Sequence, residues 1–191
     1  MRSRFLEEHE IKSLQAVLNE EAFLPLVVSL ETGLRVGDVV SLKLSNLKQD
    51  GIHFKASKTG KRGIAQISAK TRKKLLENVS KGQKWLFPSP YKVGQHVTRQ
   101  AVWARMKKAG KSCGVDLDGL SPHSMRKVFA VELYRKKGFE AVKNALQHTY
   151  ASNTEIYAFS DWNTGDNANL PLTRKDLQLV VKMVLEALGK S

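Results

Sequence analysis

The chain has 191 residues, which is enough for one domain with a hydrophobic core and short of the length typical of two. Its 32 Lys and Arg residues outnumber 18 Asp and Glu residues, so the formal net charge is +14. This excess favours a nucleic acid as partner over an acidic membrane surface, because the sequence contains neither an apolar span nor a basic amphipathic anchor.

Cysteine and histidine usage bounds the chemistry further. Cys113 is the single cysteine, so an intrachain disulfide framework is excluded and a reducing, cytoplasmic location is expected. It lies near a predicted helix end, and we interpret it as a small apolar residue rather than a catalytic thiol. The five histidines have neither tight spacing nor Cys or carboxylate partners nearby. We therefore predict neither a metal site nor another cofactor.

The first half of the chain predicts helices followed by a hairpin. Apolar residues recur at helical spacing before Gly33 acts as a helix stop, at Ile11, Leu14, Val17, Leu18, Leu24, Val27, Val28 and Leu30. A short helix is predicted over residues 37–42. Strands are predicted over residues 51–56 and 63–67, with a turn over residues 57–61 between them. Ser68 is expected to cap a helix that extends to about residue 79.

The second half predicts helices throughout. A long helix is predicted over residues 98–113 and ends at Gly114. Ser121 and Pro122 resemble an N-cap and first helical residue, and that helix is expected to end at Gly138. Short helices are predicted over residues 141–146 and around residues 154–157, and an amphipathic helix after residue 173. The predicted fold class is α+β, mostly helical with one small antiparallel sheet.

Four polar side chains lie in local contexts that do not suit core packing. Arg35 stands between a glycine stop and a new helix, where it could bind phosphate or simply pair with Asp38 on the surface. Lys58 is placed near the tip of the predicted hairpin. His123 and Arg126 are three residues apart, so they share a face near a helix N-terminus, which favours anions. A partly exposed polar face would explain that pair equally well.

Two further candidates follow in the sequence. His148 precedes Tyr157 by nine residues, and Tyr157 is placed on a short helix. A tyrosine in that position is either a nucleophile or an aromatic packing residue with an exposed hydroxyl. By residue type alone, Tyr91, Tyr134 and Tyr150 compete for the same role.

The order of these motifs resembles that of the tyrosine recombinase (phage integrase) family. The motifs are Thr32-Gly-Leu-Arg35, Ser57-Lys58-Thr-Gly60, His123-x-x-Arg126, Leu146-Gln-His148 and Glu155-Ile-Tyr157. They extend from about residue 5 to residue 159. The resemblance implies six catalytic residues: Arg35, Lys58, His123, Arg126, His148 and Tyr157.

The resemblance also implies a reaction. Tyr157 would attack a DNA phosphodiester and form a 3′-phosphotyrosyl link with release of a 5′-hydroxyl. His123 would assist the tyrosine, and Lys58 would protonate the leaving oxygen. Arg35, Arg126 and His148 would stabilise charge on the other phosphate oxygens. The predicted function is site-specific DNA recombination or integration for a phage or mobile element, with double-stranded DNA and a homotetramer as partners.

Two departures and two alternatives accompany this prediction. Gln147 stands where the family usually has glycine, and Met125 where it usually has leucine. The family's usual N-terminal DNA-binding domain does not fit before Phe5, so the resemblance suggests an isolated catalytic domain or a small single-domain member. The alternatives are relaxation of DNA in the manner of a type IB topoisomerase, and a non-catalytic DNA-binding regulator with the same fold.

The end of the chain permits two interpretations. Residues 1–191 are expected to form one catalytic domain, with all motifs within residues 1–159. Residues 160–191 would form a polar tether and an amphipathic helix. The apolar stripe of that helix either packs on its own domain or docks on a neighbouring protomer.

Overall fold

A computed structural model of the chain describes residues 3–77 and 79–146. The chain divides into two compact units, Met1–Phe129 and Ala130–Ser191. Four of the six candidate site residues, Arg35, Lys58, His123 and Arg126, lie in the first unit. The single domain predicted for residues 1–191 stays a prediction, as do the tether and C-terminal helix, which lie outside the described residues.

Six α-helices are described, and their start and stop signals are readable in the sequence: α1 Glu8–Val17, α2 Glu20–Thr32, α3 Val36–Val40, α4 Ala69–Glu77, α5 Arg99–Cys113 and α6 His123–Leu146. Asn19 caps α2 by accepting a hydrogen bond from the Ala22 amide at 2.9 Å. Thr98 caps α5 in the same way through the Ala101 amide at 3.1 Å. Gly114 ends α5 in the left-handed conformation with φ of 73°.

A three-stranded antiparallel sheet follows α3 and a 3₁₀ turn at Leu44–Asn46. Its strands are β1 Leu47–Lys48, β2 Gly51–Lys55 and β3 Arg62–Ala65, in the order β1-β2-β3. Ile52 and Phe54 on the central strand are buried, whereas Lys55 is exposed. This alternation places one face of the sheet on the core and leaves the other toward solvent.

The core of the first unit forms where α5 packs against α1, α2 and α3, and α2 packs against α3 and α4. Fully buried aliphatic side chains come from most of these elements, among them Leu14, Leu26, Val39, Ile52, Met106 and Met125. Burial of one such side chain contributes about 1.5–3 kcal/mol to the free energy of folding. The core therefore holds together elements that lie far apart in sequence.

The structure confirms the α+β class and, within residues 3–146, the predicted helices and hairpin, with shifts at their ends. The helices predicted around residues 154–157 and after residue 173 lie outside the described residues. The short helix predicted over residues 37–42 lies at Val36–Val40, and the returning strand is Arg62–Ala65. β1 was not predicted, because two residues are too few to show a periodic pattern. Cys113 is the last residue of α5 and packs partly buried against the core, as expected of a small apolar side chain.

The start and end of α6 differ in detail from the expectation. Ser121 was predicted to cap the helix with its side chain, yet its amide donates to Ser124 Oγ at 3.4 Å, and its carbonyl accepts from the Ser124 amide at 2.9 Å. Gly138 was predicted to close the helix. It has non-helical angles (φ 76°, ψ −177°), with helical residues on both sides. The glycine therefore interrupts the helix as predicted, and helical structure resumes before residue 146.

Gly51 occupies a position that side chains cannot enter. Its φ is 139°, and a Cβ atom there would lie 2.7 Å from the Ala65 carbonyl oxygen and 2.9 Å from Ile64 Cγ2. We expect Gly51→Ala to lower the free energy of unfolding by about 1–3 kcal/mol, because backbone strain adds to the close contact with Ala65. Urea unfolding followed by circular dichroism measures the change.

Gly37→Ala is the matched control. Gly37 lies in α3 with no atom within 4 Å of an added Cβ. Alanine there is expected to leave stability unchanged or to raise it by up to about 1 kcal/mol. Equal unfolding curves for the two variants would contradict the constraint inferred at Gly51.

Candidate active site

Arg35 projects from a turn that is tied down by its own hydrogen bonds. Gly33 ends α2 with φ of 69°, and its amide donates to the Ser29 carbonyl at 2.9 Å. Ser29 Oγ donates to the Leu34 carbonyl at 2.7 Å, and the Leu34 amide donates to Thr32 Oγ1 at 3.2 Å. Arg35 follows at once as the N-cap residue of α3 and is half-buried. The turn therefore fixes the point from which this side chain extends.

Arg126, in the first turn of α6, contacts the same turn although it lies far away in the sequence. Its side chain is only 4% exposed. Its Nη1 donates to the carbonyl oxygen of Gly33, 93 positions earlier in the chain. That carbonyl lies two residues before Arg35. A buried guanidinium needs hydrogen-bond acceptors to offset its lost hydration, and this bond supplies one while joining α6 to the turn that presents Arg35.

His123 is the first residue of α6 and is half-buried. It lies three residues before Arg126, so the two side chains share a face of the first helical turn. Ser124 and Met125, between them, are fully buried. The burial of these neighbours fixes which face of the turn packs inward.

Lys58 lies in the turn between β2 and β3 and is exposed. The ends of this turn are closed by two backbone hydrogen bonds of 2.8 Å, from Ala56 to the Lys61 carbonyl and from Gly60 to the Ala56 carbonyl. Gly60 takes the left-handed conformation with φ of 70°. The backbone beside Lys58 is thus defined, while its side chain extends into solvent.

Asp38 joins the lysine hairpin to the helix that follows Arg35. Its side chain is 5% exposed, and Oδ1 accepts a hydrogen bond from the Ser57 amide at 3.0 Å. Across residues 3–77 and 79–146 Asp38 forms no ion pair with Arg35, so the alternative that explained Arg35 by such a pair is wrong. Asp38 was not predicted as a site residue. An ionisable side chain within the otherwise apolar segment Val36–Val40 was the available signal.

Four of the six predicted site residues are therefore linked through a few contacts. Arg126 contacts the turn of Arg35, His123 shares the first turn of α6 with Arg126, and Asp38 holds the hairpin of Lys58 to the helix that Arg35 begins. His148 and Tyr157 lie outside the described residues. Guanidinium, ammonium and imidazole groups together donate hydrogen bonds to oxygens of a bound phosphate and stabilise its negative charge.

The described residues contain neither a candidate metal centre nor a candidate membrane span. Between residues 3 and 146, with residue 78 set aside, no three His, Cys, Asp or Glu side chains group as metal ligands. None of the described helices is both long and apolar enough to cross a membrane.

Comparison with known proteins finds similarity to tyrosine recombinases. The XerD tyrosine recombinase of Rhizobium meliloti is 32% identical over 162 residues, covering 78% of this chain and 51% of that protein. The XerD tyrosine recombinase of Vibrio cholerae is 31% identical over 151 residues, covering 73% of this chain and 49% of that protein. The chain thus spans about half the length of these curated relatives.

The fold also matches that of an integrase of known structure. A lambda integrase tetramer bound to a Holliday junction matches with a TM-score of 0.66 and 20% identity, covering 80% of this chain and 49% of that one. The family model described as the phage integrase family matches residues 4–163. Since that match includes well over half of the 191 residues, the predicted resemblance is confirmed: the chain belongs to the phage integrase family.

Proposed function

We propose that the chain is the catalytic region of a site-specific DNA recombinase that cleaves and rejoins strands through a 3′-phosphotyrosyl intermediate. The hydrogen bond from Arg126 to the Gly33 carbonyl carries the proposal. It brings together two arginine-bearing segments, 93 positions apart, at one place on the first unit. Two forked donors that extend from adjoining segments suit one phosphate group better than two separate surface ion pairs.

The proposed reaction transfers one phosphoryl group without net loss of bond energy. The Tyr157 hydroxyl oxygen bonds to phosphorus, the bond to the 5′-oxygen breaks, and the 5′-hydroxyl is released. His123 takes the proton from the tyrosine, and Lys58 supplies the proton that the leaving oxygen requires. Reversal with another strand's 5′-hydroxyl rejoins the DNA. Because the phosphotyrosine conserves the phosphodiester's energy, the exchange is independent of ATP hydrolysis.

Arg35, Arg126 and His148 are assigned to the non-bridging oxygens of the phosphate. The transition state carries more charge on these oxygens than the ground state, so fixed donors aimed at them lower the barrier. Loss of one such donor typically costs about two orders of magnitude in rate. The hydrogen bonds that fix the turn before Arg35 and the burial of Arg126 support this role, because both limit reorganisation during the reaction.

The exposure of Lys58 suits the leaving-group role. A half-buried lysine in a fixed position would serve mainly as a static charge, whereas a side chain on a solvent-exposed turn can reach a phosphate once DNA is bound. Asp38 sets the base of that turn by accepting the Ser57 amide. We assign Asp38 a positioning role toward Lys58, since its carboxylate contacts the backbone of the neighbouring residue.

Double-stranded DNA is the proposed partner, and assembly on it as a tetramer is the proposed working state. The net charge of +14 supports contacts with phosphates. The lambda integrase structure, whose fold this chain shares, is a tetramer bound to a Holliday junction. Strand exchange between two duplexes needs four cleavages, one per strand, which four copies of a single-tyrosine site supply.

Tyr157→Phe is expected to abolish covalent capture of DNA, because it removes only the attacking hydroxyl. The measurement uses a nicked duplex whose cleavage releases a short 5′-hydroxyl fragment, so that the adduct accumulates and appears as a shifted band on a denaturing gel. Tyr91→Phe is the matched control, since Tyr91 is 86% exposed on a loop and is assigned no role. An adduct formed by the Tyr157→Phe protein would reject the assigned nucleophile.

The adduct assay, combined with assays of DNA relaxation and of strand exchange, separates the alternatives. A wild-type protein that binds duplex DNA without forming an adduct is a regulator and not an enzyme. One that forms the adduct and relaxes supercoiled DNA, but exchanges no strands between paired sites, acts as a topoisomerase.

Lys58→Ala is expected to slow cleavage of an ordinary phosphodiester by about 10²- to 10⁴-fold, the contribution of a general acid. A 5′-phosphorothiolate substrate has a sulfur leaving group that departs without a proton, so it should restore most of that rate. Lys61→Ala is the control, because Lys61 is an exposed lysine of the same turn. Equal slowing on both substrates would show that Lys58 acts in binding or charge stabilisation.

Asp38→Ala is expected to slow cleavage by about tenfold through displacement of the hairpin. Asp38→Asn keeps an oxygen that can accept the Ser57 amide and should retain most of the rate. In the Lys58→Ala background, Asp38→Ala should have little further effect, because the two residues act on one step. Additive losses in the double variant would refute the positioning role.

A further inference from the structure

The connection between α5 and α6 is held by donors from outside it. Arg4 contributes three of them: Nη2 donates to the Asp116 carbonyl at 2.8 Å, Nε to the Asp118 carbonyl at 3.0 Å, and the backbone amide to the Gly119 carbonyl at 3.0 Å. More than a hundred positions separate Arg4 from these acceptors. One residue near the start of the chain thus fastens a segment that ends shortly before His123.

Side chains of α5 engage the remaining carbonyls. Lys107 Nζ donates to the Leu117 carbonyl at 3.3 Å, and Trp103 Nε1 donates to the Leu120 carbonyl at 3.3 Å. Together with Arg4, these donors reach all five successive carbonyls of residues 116–120. We call this set of three donor residues, Arg4, Trp103 and Lys107, the carbonyl clamp. A segment outside regular secondary structure lacks a ladder of backbone bonds, so such donors decide its conformation.

A two-pronged ion pair holds Arg4 itself. Nη1 and Nη2 donate to the two carboxylate oxygens of Glu10, at 2.9 and 2.6 Å. Glu10 also accepts the Glu7 amide at 3.0 Å. Burial alone would raise the pKa of Glu10, but the hydrogen bonds from Arg4 and Glu7 outweigh it and the pKa lies below its ordinary value. The carboxylate therefore stays ionised at neutral pH and keeps the guanidinium oriented.

The clamped segment also rests directly on α5. A Cβ atom at Gly110 would lie 2.7 Å from Leu120 Cδ2 and 3.0 Å from Leu117 Cδ2. Leu120 is 1% exposed. Glycine at this point lets the segment approach the helix backbone closely, so packing and hydrogen bonds define the same position.

We propose that Arg4 is a positioning residue for the first turn of α6, where His123 and Arg126 lie. The segment passes into that turn at once: Ser124 Oγ donates to the Gly119 carbonyl at 3.4 Å, and the Ser124 amide donates to the Ser121 carbonyl at 2.9 Å. The clamp therefore sets where the helix begins. This inference rests on the proposed function, in which His123 and Arg126 act on phosphate.

Two sets of contacts then define the position of the first turn of α6. The bond from Arg126 to Gly33 ties it to the turn of Arg35, and the clamp ties its preceding segment to α5 and Arg4. Without the clamp, the turn could shift along or about the helix axis while the core remained packed. A displacement of about 1 Å at reacting groups is enough to cost a large factor in rate.

The first experiment compares Arg4→Ala, Arg4→Lys and Lys12→Ala. Lys12 is an exposed lysine of α1 that forms an ion pair with Glu8, so Lys12→Ala removes the same charge without changing the clamp. At saturating nicked duplex, we expect Arg4→Ala to lower the single-turnover cleavage rate by about tenfold with unchanged DNA affinity. Arg4→Lys keeps the charge but not the forked geometry, so its cleavage rate should fall by a similar factor. Full rescue by lysine would overturn the proposal.

The second experiment tests whether the effect passes through His123, because the bond to the Gly33 carbonyl holds Arg126 independently of the clamp. In the His123→Ala background, Arg4→Ala should change the remaining rate by less than about twofold. An undiminished tenfold loss there would show that Arg4 acts on stability in general. Trp103→Phe, which keeps an aromatic side chain and removes one clamp donor, provides the same test if Arg4→Ala fails to fold.

The third experiment is independent of activity. Amide hydrogen exchange at residues 120–126 should be faster in Arg4→Ala or Trp103→Phe than in Lys12→Ala. Unchanged exchange there would overturn the proposal, as would faster exchange combined with an unchanged cleavage rate. If the wild-type protein cleaves no DNA, the proposed function fails, and the hold of the clamp on α6 stands or falls by the exchange result alone.

Discussion

Burial of the Arg126 guanidinium is the constraint on which the site depends. A charged group that is 4% exposed must find hydrogen-bond acceptors inside the protein, and the carbonyl of Gly33 is one of them. That carbonyl is available because Gly33 leaves the helical conformation and ends α2. The requirement of one side chain thus ties the first turn of α6 to the turn that presents Arg35, and the proximity of the two segments follows from it.

The remaining site contacts are few and mostly involve backbone atoms. Asp38 accepts a backbone amide of the lysine hairpin, and the carbonyl clamp acts on backbone oxygens before His123. Contacts of this kind hold the position of a segment without restricting which side chain projects from it. These contacts therefore fix the backbone of the site while the exposed side chain of Lys58 can still change its conformation.

Membership in the phage integrase family and the geometry of the first unit support the same function by separate routes. The family match rests on sequence over residues 4–163, whereas the linkage of Arg35, Lys58, His123 and Arg126 rests on contacts between distant segments. The contacts that join the segments bearing these residues are what a shared phosphate ligand requires.

Local sequence determined most of the secondary structure. Gly33 and Gly114 end their helices, Thr98 begins α5, and alternating burial at Ile52 and Phe54 marks the central strand. These features depend on neighbours within a few residues, so periodicity and capping rules predict them. The two-residue strand β1 was not predicted because it depends on pairing with β2, and the expected cap at Ser121 is replaced by a hydrogen bond from its amide to Ser124 Oγ.

The sequence also supplied the candidate residues, through the order of short motifs, but not their connections. Only the tertiary structure decided that Arg126 contacts Gly33, that Asp38 serves Ser57 instead of Arg35, and that Arg4 reaches residues 116–119. These are contacts between groups 19 to 115 positions apart. No local pattern encodes them, since they arise only when the buried core has brought the helices and the hairpin together.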